Sequence, residues 1–373
     1  MALQLHNVTK KVENEIHLYD IDLSIEAGLS VLIGHTLSGK TSLMRIMAGL
    51  DRPTSGRIEI DGRDVTDEFV QKRNVAMVYQ QFINYPLMTV YENIASPLKV
   101  AKIDKSEIDR SVREVAEMLH IESLLERLPN ELSGGQQQRT AMARALVKNA
   151  ELLLFDEPLV NLDYKLREEL RTEMNEIFKR RKAFVVYATT EPLEAMLLGG
   201  NTIVLDAGRV LQQGHAIDVY HTPASTRVGE VFSDPPMNMI DGIITDNHVQ
   251  LGDNVTLPLA SHLQKIKSGT YRFGVRANHL SITPRSNDDI LIPAQVELAE
   301  VNGSETFIHV AHQSVSWVVQ EEGVKALGLG KEIQIYLDAR FLFVFDEAGN
   351  LVAAPKQRNQ SVIYNSGISS GTH

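Results

Sequence analysis

The stretch SVLIGHTLSGKTS, from Ser30 to Ser42, places Gly34, Gly39, Lys40 and Thr41 at the spacing G-x-x-x-x-G-K-[ST]. The apolar run Val31-Leu32-Ile33 precedes it and a helical pattern follows, the context in which this spacing cradles a triphosphate. Backbone N–H groups from Gly34 through His35, Thr36, Leu37, Ser38 and Gly39 can form a nest around phosphate oxygens. The helix that opens at Lys40-Thr41-Ser42 adds the partial positive charge of its N-terminus. Lys40 can reach the outer phosphates and the Thr41 hydroxyl can ligate Mg²⁺. A glycine-rich turn that binds nothing shares the composition, but not both the spacing and the context.

Two acids follow a second apolar run, Leu152 to Phe155, as Asp156-Glu157-Pro158. An acid at the carboxyl end of a strand, beside a phosphate loop, stands where Mg²⁺ needs an oxygen ligand, and Asp156 takes that role. Glu157 is then placed to orient or deprotonate an attacking water. The plainer reading of the pair, a cap on a turn, loses weight because a phosphate loop shares the chain.

Leu132-Ser133-Gly134-Gly135-Gln136 makes a second anion nest, a hydroxyl and bare N–H groups at a helix start. One nucleotide seldom needs two helix termini from one small domain. The economical explanation is that this nest serves a nucleotide held by another chain; the alternative is an ordinary Ser-Gly-Gly turn before a helix carrying Thr140, Ala143 and Leu146.

The elements that must position these groups alternate strand and helix. Residues 2 to 33 read as strands, with Leu18 to Ile25 alternating apolar and polar. After the phosphate loop, Leu43, Ile46, Met47 and Leu50 mark a buried helix face closed by Gly49. Thr89-Val-Tyr-Glu92 and Asp104-Lys-Ser-Glu107 read as capped helix starts within a helical region from 89 to 128. A charged helix from about Asp163 to Arg180 precedes a strand from Phe184 to Thr189, and Lys179-Arg180-Arg181-Lys182 reads as a solvated helix end. This alternation predicts a parallel α/β sheet covered on both faces. Beyond Ser233-Asp234-Pro235-Pro236, short segments punctuated by glycines predict an antiparallel barrel or pair of barrels, with Trp317 in its core. The residues Asn365 to His373 read as a loose tail.

At 373 residues, 43% hydrophobic and 23% charged, the chain is globular and long enough for two domains. A net charge of −11 argues against a general nucleic-acid binder. There is no cysteine, so disulfides and thiolate metal sites are excluded. The start, MALQLHNVTKK, lacks the apolar core of a signal peptide, and no apolar run is long enough to span a bilayer.

GHTLSGKTS, Gln80, LSGGQ at 132–136, LLLFDEP at 152–158 and NLD at 161–163 occur in the order and spacing of ABC-transporter ATPase subunits, which this chain resembles over its whole length. PPMNMIDG, YRFGVRANHLSITP and GSETFIHV resemble the C-terminal OB-like domain of carbohydrate importers of the maltose and glycerol-3-phosphate type. LVNLDYKLREELR and VVYATTEPLEAMLLGG look most like the paired ATPases of bacterial glycerol importers.

The resemblance implies a P-loop ATPase domain over 1–235, with a helical subdomain at about 82–150, and an all-β OB-like (TOBE-type) regulatory domain over 236–373. It implies a head-to-tail dimer, with ATP and Mg²⁺ between Gly34–Ser42 of one subunit and Ser133, Gly134, Gly135 and Gln136 of the other. Thr41, Gln80 and Asp156 would hold Mg²⁺; Asn161 and Asp163 would lie at the dimer seam. The helical stretch would receive two membrane permeases, served by a periplasmic substrate-binding protein, with this chain peripheral on the cytoplasmic face of the inner membrane. Glycerol, a related polyol or a sugar is the expected cargo, and no nucleic acid is a partner.

Three positions depart from the family. Thr190 stands where members carry a histidine that contacts the γ-phosphate. Val12 stands where an aromatic residue stacks on adenine, leaving apolar area but no ring, and Val160 replaces a serine before Asn161. These departures suggest that the chain's own site, with Glu157, Gln80 and Thr190 as its catalytic set, is weakened or silent, and that its LSGGQ completes a site on a different ATPase. A homodimer in which Glu157 suffices, and a largely non-hydrolytic regulatory subunit of a heterodimer, remain the competing readings.

Overall fold

The structure, a computed structural model, describes residues 2–160, 162, 164–313 and 315–356. Asn161, Asp163 and the expected tail from Asn365 lie outside the described residues. Chain contacts divide the molecule into two units, Met1–Pro236 and Met237–His373.

In the first unit Ala2–Val12 (β1) and Glu15–Glu26 (β2) form an antiparallel hairpin. Leu3 and Leu5 face inward with Ile21, Leu23 and Ile25 at a period of two, and register shifts at Leu5/Val8 and Val8/Lys10 bring Val8 and Leu18 to the same buried side. Gly28–Ile33 (β3) runs into the phosphate loop and then Lys40–Ala48 (α1). Gly49 ends α1 at φ 74°, with its N–H on the Arg45 and Ile46 carbonyls. Leu50, expected on the buried face, follows this left-handed turn and is 37% exposed. Arg73, buried, donates to Ile46 O at 3.0 Å and Met47 O at 2.8 Å, so a cation satisfies two terminal carbonyls of α1.

Ser55–Ile60 (β4) and Arg63–Asp64 (β5) complete a four-stranded sheet in the order β2-β1-β4-β5. Val75–Val78 (β6) leads to the helical region, Val90–Val100 (α2), Lys105–Met118 (α3) and Gly134–Leu146 (α4). Thr89 and Glu92 close a reciprocal capping box at α2, whereas Asp104 precedes α3 without any side-chain cap bond.

Leu152–Asp156 (β7), Tyr164–Arg180 (α5), Phe184–Thr189 (β8), Pro192–Leu198 (α6), Asn201–Asp206 (β9), Arg209–His215 (β10), Ala216–His221 (α7) and Thr226–Val231 (α8) follow. The main sheet runs β10-β9-β3-β8-β7-β6, with every pair parallel except β9–β10. Every residue of β7 and β8 is buried, the pattern of central strands covered on both faces. Burying each of their large apolar side chains contributes about 1.5–3 kcal/mol, so the carboxyl ends that carry Asp156 and Thr189 are fixed by two fully buried strands. The expected solvated run at the end of α5 does not hold for Arg181, which is half-buried and donates to Leu146 O at the end of α4 at 2.7 Å.

The second unit is all-β. One sheet joins Asn238–Ile244 (β11), His248–Leu251 (β12), Val255–Pro258 (β13) and Gly269–Val275 (β14) to two later strands; the other contains Leu280–Ser281 (β15), Ile290–Val301 (β16), Glu305–His312 (β17), Val315–Glu322 (β18) and Glu332–Leu337 (β19). The two later strands are Phe343–Phe345 (β20) and Leu351–Ala353 (β21). Side chains of both sheets share one main core around Phe273, Ile292, Ile308 and Trp317, so this is one β body. Trp317 is fully buried, with its indole N–H on Met239 O at 3.3 Å.

Candidate functional site

The phosphate loop bends where glycine is needed and once where it is absent. Gly34 has no room for a side chain: a Cβ there would lie 2.1 Å from Leu205 O. Gly39 turns at φ 104° to start α1. Leu37 adopts φ 66° although it is a leucine, and its side chain is 96% exposed. The buried Ser38 Oγ has no hydrogen-bond partner among the described residues.

Lys40 is 4% exposed, and its three N–H groups are all engaged. It donates to Gly34 O at 2.7 Å and His35 O at 3.0 Å, and lies 3.3 Å from Glu157 Oε1. Burial lowers the Lys40 pKa, with Glu157 and then Asp156 working against that shift. Gln80 Nε2 donates to the other Glu157 oxygen at 3.3 Å. Thr41 Oγ1 donates to Asp156 Oδ2 at 2.8 Å, linking α1 to the end of β7. Burial pushes the Asp156 carboxyl up, which the Thr41 hydroxyl opposes.

The backbone of Glu157 is held as tightly as its side chain. It sits at φ 47° and its N–H meets Ala188 O at 3.0 Å, while Gly34 N–H meets Thr189 O at 3.4 Å. The end of β8 therefore clamps the phosphate loop on one side and Glu157 on the other. Behind it is a buried network that sequence reading missed. Thr189 Oγ1 donates to Glu194 Oε2 at 2.6 Å, Tyr187 OH donates to the same oxygen at 3.2 Å, and Glu191 N–H donates to Thr189 Oγ1 at 3.0 Å. Arg167 Nη1 meets Glu191 Oε1 at 2.6 Å and its Nη2 reaches Val160 O at 3.5 Å. Glu194, 5% exposed on a helix with an apolar inner face, was the available signal.

A cleft of about 650 Å³ is lined by Thr36 to Ser42, Gln80, Glu157, Ala207, Gly208 and the β2 residues Glu15, Ile16, His17 and Tyr19. Lys40, Gln80 and Glu157 are thus brought together in it, with Asp156 alongside. Thr190 is half-exposed, makes no side-chain hydrogen bond among the described residues and does not line the cleft. Val12 stands opposite Glu15 at the end of β1, 41% exposed, and is not in the cleft wall either.

Ser133, Gly134, Gly135 and Gln136 form the start of α4 outside this cleft. Ser133 Oγ accepts from Gln136 N–H at 3.4 Å while Gln136 Oε1 accepts from Ser133 N–H at 3.0 Å, a reciprocal capping box. Ser133 and Gly134 are exposed; a Cβ on Gly135 would meet Leu166 Cδ2 at 2.3 Å.

The donor set fits a magnesium nucleotide. The Thr41 hydroxyl, Asp156 carboxylate and Gln80 amide supply hard oxygens, which suit Mg²⁺, and the unpartnered Ser38 hydroxyl and loop N–H groups suit phosphate. A wider groove of about 820 Å³ beside Met118 is faced by Glu168, Glu169, Glu173 and Glu176, charges that would repel a phosphate.

Residues 18–160 match the family described as ABC transporter. The chain is 36% identical over 355 residues to an sn-glycerol-3-phosphate import ATP-binding protein of Psychromonas ingrahamii, covering 92% of this chain and 94% of the relative. It is 36% identical to a trehalose/maltose import ATP-binding protein of Thermococcus litoralis, covering 93% and 98%. Among solved structures, the dimeric structure of a bacterial ABC transporter cassette superimposes with a TM-score of 0.53 at 31% identity, over 57% of this chain and 98% of that one.

Proposed function

The chain belongs to the ABC transporter family, as an ATP-binding subunit of the carbohydrate-importer type, and on that premise we propose how its own site is used. The protein is an ATPase subunit that works with membrane permeases. In our reading its phosphate loop holds ATP, and its Ser133–Gln136 nest faces the ATP of a second, different ATPase subunit in a head-to-tail dimer. The observation that carries this reading is the separation of the two anion cups: the exposed Ser133-Gly134 start of α4 lies outside the cleft that gathers Lys40, Gln80 and Glu157.

The geometry supports the following roles. Lys40 exchanges Glu157 or a loop carbonyl for a phosphate oxygen. Thr41, Asp156 and Gln80 would hold Mg²⁺, which would neutralise charge building up on the transferring phosphoryl group. Glu157, released from Lys40, orients the attacking water and takes its proton, while Gln80 reports on Glu157 to the segment that follows. In that segment Ile83, Tyr85, Leu87 and Met88 are exposed, with Leu87 at 92%. Asn93 ties it back through Tyr85 N–H at 2.7 Å and Met88 O at 2.9 Å. An apolar patch so close to the catalytic pair suits a permease contact, at the cytoplasmic face of the inner membrane, with a periplasmic binding protein delivering a polyol or sugar.

Thr190 favours the heterodimer. A threonine hydroxyl offers one hydrogen bond and no cationic form, so this chain's own composite site turns over slowly and the partner's site carries transport. Co-purification with a second, distinct ATPase supports the pairing. Brisk ATP hydrolysis by this chain alone, abolished by Glu157→Gln, would sink it in favour of a homodimer.

A further inference from the structure

The C-terminal unit has a cleft of its own, and we propose that it binds a neutral polyhydroxylated small molecule, a polyol or a saccharide. The cleft has a volume of about 880 Å³ and opens across β16, β17 and β19, with Gln295, His312, Gln334 and Tyr336 in its wall. That volume suits a small organic ligand. No residue lines both this cleft and the nucleotide cleft.

The decisive group is His312. It is 5% exposed at the end of β17, and its Nδ1 lies 2.7 Å from Pro293 O, a contact only an N–H can make. With the proton on Nδ1, the neutral ring keeps a bare lone pair on Nε2. That nitrogen is buried and has no hydrogen-bond partner among the described residues. A buried acceptor without a donor is costly. The His312 ring is part of the cleft wall, so a hydroxyl bound there supplies the donor that the described residues do not.

The other wall residues select the chemical class. Gln334 Oε1 accepts from Tyr336 OH at 3.1 Å, which leaves the Gln334 N–H groups and the phenol lone pairs for a ligand. Gln295 Nε2 donates to Gly330 O at 3.1 Å, which leaves its Oε1 as an acceptor. Leu327 and Ile333, both partly buried, add C–H surface. The adjacent charges of Lys331 and Glu332 offset each other, so the wall favours neither an anion nor a cation. Amide edges beside apolar surface match the hydroxyls and C–H faces of a polyol or sugar ring.

The chain carries its own reporter. Trp317 is its sole tryptophan, and the indole centroid lies 6.1 Å from that of His312. The test titrates the full chain with glycerol, sorbitol, maltose and trehalose, and with glycerol 3-phosphate and spermidine as charged controls. Ligand-observed saturation-transfer NMR detects binding, and Trp317 emission locates it. At least one neutral compound should bind saturably and change that emission. His312→Phe, which keeps a ring without an acceptor, and Gln334→Ala, on the exposed rim, should each weaken it about fivefold or more. If His312→Phe fails to fold, Gln334→Ala decides. Both variants should bind a fluorescent ATP analogue as the parent does, so a failure here leaves the nucleotide reading standing. Saturation transfer to none of the neutral compounds would mean that water alone fills the cleft, and overturns the proposal. So does binding that keeps its affinity in both variants, or a charged control that binds more tightly than every neutral compound.

Discussion

The Lys40 ammonium lies 3.3 Å from the Glu157 carboxylate, with the two side chains only 4% and 16% exposed. The residue that should grip the outer phosphates is thus paired with the residue that should activate water. A phosphate must compete with Glu157 for Lys40, and the freed carboxylate then becomes available to the water. The pair works as an exchange: binding at one group releases the other.

Neutralising Glu157 should therefore help nucleotide binding while stopping chemistry. Glu157→Gln should tighten ATP about three- to tenfold without Mg²⁺, the scale of a partly screened ion pair. Turnover should fall at least about a hundredfold with the general base removed. Equilibrium titration with a fluorescent nucleotide and a phosphate-release assay read the two effects. Weaker binding by the glutamine variant would show that Glu157 supports the phosphate site instead of competing for it.

Leu37 stores backbone strain in the phosphate loop. Left-handed φ costs a branched side chain about 1–2 kcal/mol, and a side chain 96% exposed recovers almost nothing by packing. Leu37→Gly removes the strain but adds freedom to the unfolded chain, so a net gain of about 0.5–1 kcal/mol is expected. Leu37→Ile, β-branched at the same φ, should be less stable than the parent. Chemical denaturation of the three proteins gives the order, and a glycine variant no more stable than the isoleucine one would remove the strain argument.

Thr190 limits turnover if its short hydroxyl is the weak part of the site. Thr190→His, measured in the purified assembly with the partner ATPase's own catalytic glutamate changed to glutamine, should raise hydrolysis about tenfold or more. The half-exposed position leaves room for the larger ring. Unchanged hydrolysis would place the weakness elsewhere, with Val160 the next position to restore, as serine.

How much of this was legible in the sequence divides along a physical line. Motifs whose function depends on backbone shape could be read directly, because Gly34, Gly39 and the Lys40-Thr41 helix start impose their geometry locally. The parallel sheet followed from apolar runs such as Phe184–Thr189. Ser133-x-x-Gln136 carried a capping-box signature that an anion nest alone does not use, and the structure closes that box. What could not be read were pairings set by tertiary contact. Arg209 under Tyr19 joins residues with no shared motif, and Arg73 on the α1 carbonyls looks from sequence like any surface arginine. Arg181 misled for the same reason: a basic run reads as solvated until a distant helix end, Leu146, takes one of its donors.

Glu194 provides the sharpest pH test. Burial pushes its carboxyl up from 4.5, against the pull of the Thr189 and Tyr187 hydroxyls. The folded state therefore takes up a proton at Glu194 before the unfolded state does. For an acid shifted this way stability falls as pH rises from the unfolded value through the raised folded one, then levels off. Glu194→Gln keeps the shape, stays neutral and removes that slope. The stability of the glutamine variant relative to the parent should climb as pH rises above about 4.5, and the contribution of Asp156, also pushed up by burial, cancels in the difference. Thr189→Val should cost about 1–2 kcal/mol, and more at higher pH where its hydroxyl would face the ionised Glu194, because it strands Glu191 N–H and removes one donor to Glu194. Denaturation midpoints from pH 4 to 8 provide both comparisons. A flat difference between Glu194→Gln and the parent would mean that the two hydroxyls, not burial, govern this carboxyl, and that the clamp behind Thr190 holds an anion at every pH.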